Sequence, residues 1–162
     1  MGNCFAEGKG VKQSDSNALL YYEGAIEAGD PAAMFTVGNW ILQEKGGLKK
    51  DPMRALQLHI QAANMGHPHA TFNVGALYLT GDCVPSGDRD VLKAVEWFTR
   101  AADMGVYQAA INLGNMHVEG LSPLAQDLHK AQEIFMRYAH LHPEVAKCVD
   151  MIKEEMKLQG ST

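Results

Sequence analysis

The chain has 162 residues, 46% hydrophobic and 20% charged, with a formal net charge of −5. This balance suits one folded domain and argues against a general nucleic-acid binder, which would carry a basic field. It holds neither a membrane-length apolar run nor a charged-then-apolar leader, and its three cysteines, Cys4, Cys83 and Cys148, are too sparse for a disulfide scaffold. The expectation is a soluble protein of a reducing, intracellular and cytoplasmic compartment.

Aligned with itself, the chain repeats. Glycines Gly2, Gly38, Gly75 and Gly114 recur at intervals of 36, 37 and 39 residues. A second block opens at Ala18, Ala55, Ala94 and Ala131, at intervals of 37, 39 and 37 residues. Self-similarity at this period marks a stacked-repeat array, whose units each bury a face against their neighbours.

In chain order, the first unit covers about residues 1–29 and opens with Gly2 and Phe5, and Met1 stands at its first apolar landmark. No residues stand where a full unit would precede Gly2, so either this chain is an excerpt of a longer array or its first helix is expected to be short, with an open edge that serves as an interface. The second unit, about residues 30–66, places Ala33, Val37, Gly38 and Ile41 on one helical stripe. The third, about 67–105, repeats this with Ala70, Val74, Gly75 and Tyr78, and adds a stripe of Ala94, Trp97, Phe98, Ala101 and Ala102. The fourth, about 106–142, carries Leu113, Gly114 and His117, then Ile134 and Phe135. Residues 143–158 align Val145, Cys148, Val149, Ile152 and Met156 and are expected to form a capping helix before a tail at 159–162.

A glycine inside a helix costs about 1 kcal/mol against alanine, so its return in successive units requires the close approach of a partner helix. Gly29, Gly66 and Gly105 close the second helices, where the chain must turn left-handed. Each unit therefore reads as helix, turn, helix, stop.

The residues that carry this pattern most completely are Ala70, Val74, Gly75, Tyr78, Gly81, Val84, Lys93, Ala94, Trp97, Ala101, Ala102 and Gly105. They resemble the Sel-1-like repeat, a relative of the tetratricopeptide repeat. Cys83 and Ser122 depart from it at the second loop glycine, and Ile41 and His117 at the tyrosine. The resemblance implies an all-α, right-handed α-α superhelix, a solenoid of about four helix pairs with a C-terminal capping helix. It also implies a non-enzymatic scaffold or adaptor whose partners are other proteins. The family is typically found in signalling, quality control or organelle maintenance.

By the same resemblance the first helices line a concave groove. Groove positions fall three before, one after and four or five after each helix glycine. They select Asn3, Ala6 and Glu7, then Phe35, Asn39, Leu42 and Gln43, then Phe72, Ala76, Leu79 and Thr80, then Ile111, Asn115, Val118 and Glu119. Asn3, Asn39 and Asn115 can each donate and accept along a peptide backbone. Lys9, Lys12, Lys45, Lys49 and Lys50 fall in the first two turns and suggest a basic edge for an acidic segment or headgroups.

The start, Met1-Gly2-Asn3-Cys4, makes Gly2 and Cys4 candidate acylation positions, although Ala6 stands where the acceptor pattern asks for Ser or Thr. Acylation, or self-association through the open first-repeat edge, defines the alternative reading of a membrane-associated or self-assembling element. His67 and His69, and His140 and His142, are paired two residues apart without a metal motif around them, so no metal and no cofactor is expected. No nucleophile, base and orienting group are brought together by the repeat, and no enzyme is expected.

Overall fold

The computed structural model describes residues 15–83 and 86–159. Among these, eight α-helices and a short 3-10 turn account for the regular structure. They are α1 (Asp15–Glu27), α2 (Pro31–Leu42), the 3-10 turn (Lys45–Gly47), α3 (Pro52–Asn64), α4 (Pro68–Thr80), α5 (Val91–Asp103), α6 (Tyr107–Glu119), α7 (Leu128–Tyr138) and α8 (Pro143–Gln159). Each packs mainly on the helix before and the helix after it, and α6 also touches α8. This is the all-α solenoid expected from the period.

Local chemistry sets the helix boundaries. Asp51, Asp90 and Asp127 cap the second helices α3, α5 and α7, each carboxylate accepting from the backbone N–H three residues on at 3.0, 3.0 and 2.8 Å. Prolines open α2, α3, α4 and α8, where a missing N–H costs nothing. In the third and fourth repeats the capping aspartate also closes the turn. Asp90 donates its backbone N–H to the carbonyl of Tyr78, and Asp127 to that of His117, both at 2.9 Å. Gly29, Gly66 and Gly105 have φ of 81°, 86° and 91°, the left-handed stop their positions predicted.

The helix glycines hold the two helices of each repeat together. A Cβ on Gly38 would lie 2.7 Å from the His59 ring, and one on Gly75 would lie 2.8 Å from the Phe98 ring. A Cβ on Gly114 would overlap the ring of Phe135. The close approach inferred from the glycine period is thus that of an aromatic ring of the second helix to the glycine of the first. Phe98 and Phe135 are buried at the centre of the largest core cluster, together with the alanines of their stripes.

Helix α8 follows the register of a first helix. Val145, Val149 and Ile152 are buried, as Ala109, Leu113 and Met116 are one repeat earlier. The place of the helix glycine, 36 residues after Gly114, is taken by Asp150, which is exposed. A carboxylate there cannot accept a buried ring, which gives α8 the polar outer face of a cap. No helix among the described residues is long and apolar enough to cross a membrane.

Candidate functional site

The first helices α2, α4 and α6, with α8 following them, present the predicted groove positions. Phe35, Asn39, Phe72 and Ala76 are half-buried, whereas Gln43, Thr80, Asn115 and Glu119 are exposed. Asn3, Glu7, Lys9, Lys12, Gly2 and Cys4 lie outside the described residues.

Two of the polar positions differ in their freedom. Asn39 is tied down, its Oδ1 accepting from Nδ2 of Asn73 at 2.7 Å across the junction of α2 and α4. Asn115 is exposed and lines a pocket of about 150 Å³ with Val118, Phe135 and the α8 residues Cys148, Met151, Ile152 and Glu155. Met151 and Glu155 stand one and five residues after Asp150, at the offsets expected from the sequence to line a groove. Sequence reasoning left them out because it treated residues 143–158 only as a cap; continuing the glycine interval to residue 150 would have found them.

Phe35 and Phe72 belong partly to the packing between helices. Phe72 lies against Phe98 with ring centroids 5.5 Å apart. Phe35 stacks on His67 at 4.6 Å, with His59 and His69 at 5.8 and 6.3 Å. His67 is the N-cap of α4, its Nδ1 accepting from the Ala70 N–H at 3.1 Å, so the histidine pair at the repeat junction serves capping and stacking. Among the described residues no three His, Cys, Asp or Glu side chains gather as a metal site.

His59 occupies the ring position held by Phe98 and Phe135 in the later repeats and is fully buried. Its Nε2 lies 3.4 Å from Nδ2 of Asn73, while its Nδ1 has no hydrogen-bond partner. Burial, reinforced by nearby His67, lowers its pKa to about 4, so the ring is neutral at ordinary pH. Burial also lowers the pKa of His67, with His69 adding to the effect.

The basic edge is unevenly available. Lys45 lies 4.6 Å above the Trp40 ring and 3.7 Å from the Asp15 carboxylate. Lys49 and Lys50, beyond the 3-10 turn, are exposed.

The model of the Sel1 repeat family matches residues 1–30, 31–67, 68–106 and 108–135. The structure is similar to that of a Sel1 repeat protein from Oxalobacter formigenes, with TM-score 0.79 and 26% identity over 91% of this chain. It is also similar to c5321, a protective antigen present in uropathogenic Escherichia coli strains displaying an SLR fold, with TM-score 0.82 and 21% identity over 95% of this chain. This chain spans 59% and 32% of the lengths of those two. No curated protein matches it.

Proposed function

Because this chain belongs to the Sel1 repeat family, whose repeats generally act as protein–protein interaction scaffolds, we propose that it is a non-enzymatic adaptor holding an extended segment of another protein along α2, α4, α6 and α8. The observation that carries this reading is the pocket between α6 and α8. It brings together Asn115 and Val118 with Met151 and Glu155, which stand one and four residues after Gly114 and one and five after Asp150, the offsets expected to line a groove. An apolar floor with an amide and a carboxylate at its rim suits one apolar side chain of a peptide whose backbone N–H groups are bonded alongside. Asn39 contributes from its free amide edge, since its oxygen is committed to Asn73.

The test is quantitative capture of an interacting protein from native cells by the unaltered chain and by the Asn39→Ala/Asn115→Ala double variant. At least a roughly tenfold loss of the same captured protein, with helicity unchanged by circular dichroism, is expected. Equal capture by both chains would overturn the groove assignment.

A further inference from the structure

The third and fourth repeats correspond residue for residue through Gly75 and Gly114 and through Ala94 and Ala131. Leu56 and Ile60 of the second repeat and Val74, Tyr78 and Trp97 of the third belong to one packed cluster between α3, α4 and α5. Their equivalents one repeat on are Val95, Thr99, Leu113, His117 and Ile134. Both large rings are gone, Tyr78 being matched by His117 and Trp97 by Ile134. Where they would lie, a pocket of about 210 Å³ opens between α5, α6 and α7.

The cations that accompany those rings remain. In the third repeat Lys93 Nζ lies 5.1 Å from the centroid of the Tyr78 ring, and the Arg100 guanidinium 5.0 Å from that of Trp97. Their equivalents Lys130 and Arg137 line the open pocket. They are held there by Glu133 at 2.8 Å and Asp103 at 3.1 Å.

The polar lining is also partly committed. The Thr99 hydroxyl donates to the Val95 carbonyl at 2.8 Å, and the Tyr138 hydroxyl to Asp103 at 2.7 Å. His117 is half-buried, and its ring makes no hydrogen bond among the described residues. Burial lowers its pKa, which favours the neutral ring with one accepting nitrogen.

We propose that this pocket is a binding site for the tryptophan or tyrosine side chain of a partner protein, the incoming ring taking the place that Tyr78 and Trp97 fill one repeat earlier. Its N–H or O–H donates to His117, and its face lies beneath Lys130 as Tyr78 lies beneath Lys93, while Arg137 already lies 5.2 Å from the centroid of the Tyr138 ring. The space is adequate, since a cavity of roughly 150 Å³ accommodates benzene. None of its lining residues lines the α6–α8 pocket, so the two sites succeed or fail separately.

The experiment titrates the tripeptide Gly-Trp-Gly into the isotope-labelled full chain and follows the backbone amides of Thr99, His117 and Ile134 by NMR. Saturable shifts are expected with Gly-Trp-Gly and none with Gly-Leu-Gly. Ile134→Trp restores the third-repeat ring, so it should weaken binding by at least about tenfold while raising the melting temperature by about 2–4 °C. Thr99→Ile, which restores the residue matching Ile60, fills the slot more gently and should weaken binding if Ile134→Trp does not fold. The proposal is overturned if Gly-Trp-Gly fails to saturate, if Gly-Leu-Gly shifts the same amides, or if a folded filling variant binds unchanged. Binding of free indole without binding of the tripeptide would also overturn it, because the site would then admit a small molecule and not a side chain.

Discussion

Gly38 and His59 face each other across the first and second helices of one repeat, so closely that a Cβ on Gly38 would stand 2.7 Å from Cε1 of the imidazole. Gly75 with Phe98 and Gly114 with Phe135 repeat the relationship, with a hydrocarbon ring in place of the imidazole. This pairing joins the sequence period to the packing, and the first prediction tests it directly.

Alanine at a helix glycine gains about 1 kcal/mol of helix propensity. Forcing a buried ring to move costs about 1–3 kcal/mol. Phe135 is buried in the main core cluster and has the tightest approach, so Gly114→Ala should destabilise the chain by about 1–2 kcal/mol net. Urea unfolding measures this; stabilisation by Gly114→Ala would mean that the ring has room to yield.

His59 should make stability depend on pH on the acid side. Its folded pKa is about 4 against an ordinary 6.5, so between those values the unfolded chain binds the extra proton. The stabilising effect is complete above pH 6.5 and is lost as pH falls toward 4, by on the order of 3 kcal/mol in full. His59→Phe, which also removes the unpartnered Nδ1, should flatten this slope in melting experiments between pH 7 and 4. An unchanged slope would assign the acid sensitivity to other groups.

Tyr138 makes the opposite prediction at alkaline pH. Burial, together with its 2.7 Å hydrogen bond to Asp103, pushes the phenol up to about 12 from an ordinary 10.0. The folded chain keeps the proton that the unfolded chain releases, so this contribution is present below pH 10 and disappears as pH rises toward 12. Tyr138→Phe should cost about 1 kcal/mol at neutral pH and should remove a step near pH 12 from the ultraviolet titration of the tyrosines.

Met151 separates binding from folding. It is 70% exposed yet lines the α6–α8 pocket, so Met151→Asp should change stability by less than about 0.5 kcal/mol. The same variant should retain much less of any partner held in the groove, by about tenfold in affinity. Undiminished affinity with normal stability would place the bound segment elsewhere.

The amino-acid sequence by itself determined the repeat, the helix pairs and their ends. Those features depend on short-range rules: a left-handed stop at Gly66 or Gly105, an aspartate capping the third N–H ahead, and a small residue wherever two helices touch. It also suggested groove positions by analogy, and the glycine series continues to Asp150, which would add Met151 and Glu155 to them. Only the tertiary structure decided that Asn39 is committed to Asn73 while Asn115 is exposed, and that His59 lies buried against Gly38. It alone revealed that His117 and Ile134 line an open pocket, whereas Tyr78 and Trp97 pack against a core cluster. The reason is geometric. A cap or a stop is set by residues a few positions apart, whereas a pocket is the volume left between side chains from three helices, and no one segment specifies that volume.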